Sequence, residues 1–182
     1  MLSSSIAAQS LYKAAELGKD IDEEVLAKAD KYQSASVGAD GAVDASDGAG
    51  VPLYAVATTL AGSAKAAKRD GANAGDARKN EVAAAVTGRR VAADSGVLMA
   101  GFGSIGGEEM LSYMMISDTL AEAGGTPWTA WEGKVGAFLA GAQNADGSWA
   151  GHHCITSPVF VTAGAVMTLT AGDFATLEAK RG

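Results

Sequence analysis

Residues 134–149 read KVGAFLAGAQNADGSW, and this stretch decides the fold class. Its apolar side chains recur three and four positions apart up to Gln143, a spacing typical of an amphipathic helix. Asp146 and Gly147 follow as a polar turn signal, and Trp149 closes the turn. The stretch therefore predicts an amphipathic helix that ends in a turn fixed by an aromatic residue.

The same pattern recurs along the chain. Residues 28–43 align with 134–149, so that Lys28 matches Lys134, Tyr32 matches Phe138 and Asp40-Gly41 match Asp146-Gly147. Val37 and Val43 stand where the later copy has Gln143 and Trp149. A fainter copy lies between them, with Asp94-Ser95-Gly96 as its turn. Copies near 22–43, 78–97 and 129–149 predict a repeat of roughly 53 residues.

The best copy resembles a known sequence motif. Lys134, Phe138, Leu139, Gln143, Gly147 and Trp149 are similar to the QW motif of squalene and terpenoid cyclases, which also marks prenyltransferase β subunits. Residues 106–169 resemble uncharacterised bacterial proteins with prenyltransferase and squalene-oxidase repeats. The resemblance implies an (α/α) toroid in which Gln143 and Trp149 tie the end of an outer helix to the next helix.

Two kinds of helix alternate in the sequence. Apolar helices are predicted at 4–17, 51–65, 108–123 and 156–169, and more polar ones at 22–34, 78–91 and 129–143. An apolar helix belongs inside a fold and an amphipathic one outside. We therefore expect an all-α, single-domain chain over 1–182 that forms a partial (α/α) toroid of three to four hairpins. The resemblance implies about six hairpins in a closed ring, so three to four hairpins would form only an open arc. We therefore expect the exposed inner helices to be covered by another protein chain, by a second copy in a homo-oligomer or by a missing remainder of the chain.

Composition narrows the function classes. The 182 residues carry a net charge of −7, which disfavours nucleic-acid binding, and 48% are apolar but only 6% aromatic. The longest apolar run, 159–171, is shorter than a membrane span and fits a buried helix. No targeting segment is recognised, so a cytoplasmic location is expected unless the chain is a trimmed form of an exported protein. The basic residues are interpreted as a solvated face: Lys65, Lys68, Arg69, Arg78, Lys79, Arg89 and Arg90.

The sharpest chemical feature is a cluster of potential metal ligands. His152 and His153, the only histidines, precede Cys154, the only cysteine, and Glu108 and Glu109 begin another predicted helix. Histidine, cysteine and carboxylate are zinc ligands, so a zinc site is one hypothesis. The alternative is that the histidines cap the helix at 156. Cys154 is interpreted as a structural thiol or, alternatively, as a nucleophile whose pKa the helix N-terminus and histidine would lower.

Catalytic signatures of the resembled families are mostly missing. The nearest string to the acid motif of the cyclases, DIDE at 20–23, is interpreted as a helix cap, and GFGSIG at 101–106 lacks the strand that a dinucleotide loop follows. The leading hypothesis is a noncatalytic structural or protein-interaction subunit that needs no cofactor. The alternatives are a zinc-binding or prenyltransferase-like enzyme module at His152, His153 and Cys154, and an isoprenoid- or lipid-binding module.

Overall fold

The protein is all-α. The computed structural model describes residues 2–35, 44, 51–69, 73–101 and 103–180, and among these no residue lies in a strand. Within these described ranges seven helices follow one another: α1 (Leu2–Glu16), α2 (Glu23–Ala35), α3 (Pro52–Lys68), α4 (Ala74–Met99), α5 (Gly107–Ala123), α6 (Gly125–Ala142) and α7 (Pro158–Ala179). The predicted helices occur in the predicted order. The turns predicted at Val37, Asp40-Gly41 and Val43 in the first repeat copy lie outside the described residues.

The chain divides into two compact units, Met1–Gly88 and Arg89–Gly182. In the first unit, α3 packs against both α1 and α2. Tyr12 of α1, Leu26 of α2 and Ala66 of α3 form one small cluster of its core together with Ala8. The repeat pattern places a turn at Asp94-Ser95-Gly96, and there α4 loses helical geometry at one residue, Asp94 (φ −105°, ψ 19°).

A buried ion pair joins α2 to the residue that follows α3 in the first unit. Arg69 Nη2 lies 2.6 Å from Asp30 Oδ2, and both side chains are almost inaccessible to water. Its Nη1 also donates to Glu23 Oε1 at 2.8 Å. The interpretation of the basic residues as a solvated face is therefore wrong for Arg69. Removal of one partner from such a pair would leave an uncompensated buried charge.

In the second unit, α5 packs against α6 and, over a longer surface, against α7. Tyr113 of α5 is fully buried and meets the ring of Phe138 edge-on, with ring centroids 5.7 Å apart. Trp131 of α6 donates from its indole nitrogen to Ser117 Oγ at 2.8 Å, and Tyr113 donates its hydroxyl to the Met99 carbonyl at 2.9 Å. Both polar atoms of these aromatic residues are thus satisfied inside the core.

The burial of the apolar helices differs from expectation. Helices α3 and α5 carry long series of buried residues, as an inner position requires. Helix α7, predicted to be buried, hides only Val161, Ala165, Thr168 and Ala171. The reason is that α5 and α6 pack on one side of α7, while no other described helix of this unit covers its opposite side.

Candidate functional site

Two loops of the second unit pair directly before α5 and α7. Gly106 and His153 form an isolated parallel β-bridge. The backbone N–H of Gly107 donates to the Ile155 carbonyl at 2.9 Å, and that of His152 donates to the Ile105 carbonyl at 2.8 Å. The pairing brings the predicted residues at 108–109 and 152–154 to the same end of the α5–α7 pair.

Glycine makes this close approach possible. A Cβ atom on Gly106 would lie 2.7 Å from the His153 carbonyl oxygen, and one on Gly107 would lie 2.9 Å from a ring carbon of Phe160. Both distances are below normal van der Waals contact. The glycines that close the GFGSIGG segment are therefore explained by loop packing rather than by phosphate binding.

His153 lies at the centre of the site. Its Nε2 is 3.0 Å from the Ser104 carbonyl oxygen and 3.4 Å from Glu109 Oε2, and its Nδ1 is 3.4 Å from Cys154 Sγ. A carbonyl oxygen only accepts hydrogen bonds, so Nε2 is the donor in its contact with Ser104. The other ring nitrogen, Nδ1, faces the thiol.

Glu109 is a fully buried carboxylate with a structural partner. Its Oε2 accepts the backbone N–H of Gly106, the N-cap residue of α5, at 3.0 Å. The same oxygen faces His153 Nε2. One carboxylate therefore caps α5 through its hydrogen bond to Gly106 and lies next to the imidazole of the neighbouring loop.

Cys154 is exposed and lies in the left-handed backbone region at φ 51°. Desolvation, followed by the nearby carboxylates of Glu108 and Glu109, raises the pKa of its thiol above the ordinary value. The carboxylates disfavour the thiolate because like charges repel. The geometry around Cys154 thus favours a retained thiol over an activated nucleophile.

The structure brings four of the five proposed metal ligands together: His153, Cys154, Glu108 and Glu109. The side chain of His152 is exposed. The two ring nitrogens of His153 face Glu109 and Cys154 respectively, so these two residues cannot both join His153 at a common ion. Among the described residues, no three His, Cys, Asp or Glu side chains are placed to hold a metal ion.

The repeat motif residues join α6 to α7. Trp149 donates from its indole nitrogen to the Leu139 carbonyl of α6 at 2.8 Å. Its backbone N–H donates to Thr162 Oγ1 of α7 at 3.0 Å, and the same hydroxyl donates back to the Trp149 carbonyl at 3.2 Å. Gln143 Nε2 donates to the Gly147 carbonyl at 2.9 Å, across a turn in which Gly147 has φ 85°. Thr162, which the sequence pattern did not single out, completes the connection.

The other motif residues lie along α6. Phe138 contacts Tyr113, and Leu139 is fully buried. Lys134 Nζ donates to the Ala92 carbonyl of α4 at 3.2 Å. The motif therefore contributes core packing and helix-end hydrogen bonds, and none of its residues belongs to the His153 site.

A second candidate site is the exposed side of α7, which we call the α7 stripe. Its large apolar side chains are between 37% and 80% exposed: Val159, Phe160, Val166, Met167, Leu169, Phe174 and Leu177. The sequence prediction missed it by treating the helix as buried. The signal that could have found it is the seven-residue interval from Phe160 to Met167 to Phe174.

Helix α7 is also longer than the predicted apolar run, because it continues to Ala179. Among the described residues, it is the one helix long and apolar enough to cross a bilayer by length and composition alone. Core helices of soluble proteins meet the same two conditions.

Comparisons with protein-family models, curated proteins and solved structures find no match to this chain.

Proposed function

We propose that this protein is a noncatalytic structural or protein-interaction subunit of a larger assembly, with the α7 stripe as its contact surface. One observation carries the proposal: a helix with a well-packed inner face carries seven large apolar side chains on its outer side. Monomeric soluble proteins rarely expose so continuous an apolar surface.

The polar atoms of α7 support a surface made for contact. Thr170 and Thr176 turn their hydroxyls to the carbonyls of Val166 and Gly172 in their own helix, at 2.8 and 2.9 Å. Because both hydroxyls are bonded within the helix, these threonines add little polarity to its surface. A partner could cover the stripe without leaving these hydroxyls unsatisfied.

We also propose the repeat family of the cyclases and prenyltransferases as the origin of this fold. The hydrogen bonds of Trp149 to α6 and α7 support this proposal, because the motif is expected to tie one helix to the next. The (α/α) toroid arrangement is part of the same proposal.

The test compares the full-length protein with a stripe variant. In a native extract, we expect the protein to elute well above its 18.2 kDa monomer mass, and Met167→Glu to elute as a monomer. Val97→Glu serves as the matched control, since Val97 is 72% exposed on α4 and lies outside the stripe. Monomeric elution of the unsubstituted, fully helical protein would contradict the proposal.

A metal-binding module is the second candidate, favoured by the 3.4 Å separation of Cys154 Sγ and His153 Nδ1. Zinc prefers four donors, or three and a water molecule, so this pair would need others. Elemental analysis of the purified protein tests it. Stoichiometric zinc that is lost in His153→Ala supports the candidate, and a metal-free protein rules it out.

A further inference from the structure

We infer that the partner of the α7 stripe is a second copy of this chain, with the two α7 helices packed antiparallel. The inference rests on the proposed function, because both require the stripe to be a contact surface. Three observations on α7 carry it: the spacing of its exposed residues, their sizes and the position of its charges.

The exposed residues follow a heptad pattern. Phe160, Met167 and Phe174 are seven residues apart, and Ala163, Thr170 and Leu177 each follow three positions later. These are the a and d positions of a coiled-coil seam, in which two helices pack side by side. Val159 and Val166 flank the seam and widen it on one side.

Side-chain size selects the antiparallel direction. Antiparallel seams pair an a residue with a d residue of the other helix. Here that rule sets Phe160 against Leu177, Ala163 against Phe174, and Met167 against Thr170. Each layer then combines a large residue with a smaller one, as close packing favours. A parallel pair would stack two Phe174 rings in one layer and leave two Ala163 residues facing each other in another.

Charge selects the same direction. Asp173 and Glu178 are the only acidic residues of α7, and both lie near its C-terminal end. A parallel pair would set Asp173, at heptad position g, beside Glu178 of the other copy, at position e. The antiparallel pair sets Glu178 level with Val159 of the other copy, within the first turn of that helix, where the positive end of the helix dipole stabilises a carboxylate.

The surface is large enough for a stable pair. The helix has 22 residues and is therefore roughly 33 Å long. Six large apolar side chains lie on or beside the seam along that length, and they offer an area on the order of the ~800 Å² that each partner contributes to a standard interface.

A bilayer fits the same surface less well. The buried side of α7 packs against α5, which carries four acidic residues: Glu108, Glu109, Asp118 and Glu122. A membrane around α7 would bring α5 close to hydrocarbon, where charged side chains are costly.

The first experiment measures self-association of the purified full-length chain by sedimentation. We expect a concentration-dependent dimer whose Kd rises on the order of a hundredfold in Met167→Glu and stays unchanged in Val97→Glu. Circular dichroism verifies that both variants remain helical.

The second experiment determines the direction in a Cys154→Ser background. Ala163→Cys and Phe174→Cys proteins are prepared separately and then mixed under mild oxidation. An antiparallel pair gives the mixed disulfide and little of either homodisulfide. Predominant homodisulfides would overturn the inference.

The outcomes separate the inference from the proposed function. If the purified protein stays monomeric but its high mass in extract is lost in Met167→Glu, the partner is a different protein and only the inference falls. A purified monomer that binds phosphatidylcholine vesicles through the stripe also overturns it. If the protein is monomeric both when purified and in extract, the inference and the proposed function are both overturned.

Discussion

His153 connects two loops through three neighbours, and only part of this could be predicted from the sequence. The proximity of His153 and Cys154 to Glu108 and Glu109 was an expectation based on residue type. The use of each ring nitrogen could not be predicted, because it depends on the Ser104 carbonyl, 49 residues away in the chain. Likewise, nothing near Arg69 in the sequence indicates that Asp30 pairs with it.

The reactivity of Cys154 tests the effect of the neighbouring carboxylates on its thiol. Desolvation and the nearby carboxylates raise the pKa of its thiol, and the thiolate is the reactive form. Alkylation by iodoacetamide should therefore rise at higher pH than for an ordinary cysteine, whose pKa is about 8.5. Glu108→Gln removes one negative charge and should shift the pH–rate profile to lower pH.

Glu122→Gln, at the other end of α5, is the control and should leave the profile unchanged. An identical profile for Glu108→Gln and the unsubstituted protein would show that Glu108 does not control the thiol.

The order of the helices and the helical content were predictable, since caps, prolines and glycines mark most boundaries. Ser157 and Pro158, for example, open α7, and the Ser157 hydroxyl accepts the N–H of Phe160. The burial of α7 was not predictable from its composition. A helix with few charges is apolar on all sides in the sequence, whether or not a neighbour covers each side.

The pairing of the loops before α5 and α7 predicts that a larger residue at position 106 lowers the stability of the protein. Gly106→Ala should lower the free energy of unfolding by about 2 kcal/mol, because the new Cβ meets the His153 backbone and forces the loops apart. Urea denaturation measures the change.

Gly133→Ala is the matched control. Gly133 is exposed within α6, and a Cβ atom added to it would meet no neighbouring atom, so alanine should stabilise the helix by ~0.5–1 kcal/mol. If both variants changed the free energy of unfolding in the same direction, the close approach of the two loops at Gly106 would not be the cause.

For the molecule as a whole, each compact unit buries a tyrosine. Burial, and then the charge of Asp30, raises the pKa of Tyr12 in the first unit. Burial, and then the charge of Glu109, does so for Tyr113 in the second. The division into two units has no marker in the sequence, because it falls inside α4, between Gly88 and Arg89.

The stability of the chain should therefore fall in alkali. A phenol whose pKa is raised by folding contributes its full stability below the unfolded value, about 10, and loses it as pH rises further. At neutral pH, Tyr113→Phe should cost ~1 kcal/mol through the lost hydrogen bond to Met99.

That cost should shrink above a pH of about 10, because the variant has one buried phenol fewer to ionise. Urea denaturation at several pH values measures the difference. A difference that stays constant from neutral pH into alkali would show that Tyr113 ionisation is not coupled to unfolding.

The bond between Ser104 and His153 also has a consequence for synthesis on the ribosome. The two residues are separated by 49 positions, so the first loop has no partner until the second has been made. Translation proceeds at about 5–20 residues per second, so the apolar side of α5 stays uncovered for roughly 2 to 10 seconds until α7 has been made. A nascent chain halted before residue 158 would expose that side of α5, so chaperone binding and proteolysis of the emerging chain should peak within this interval.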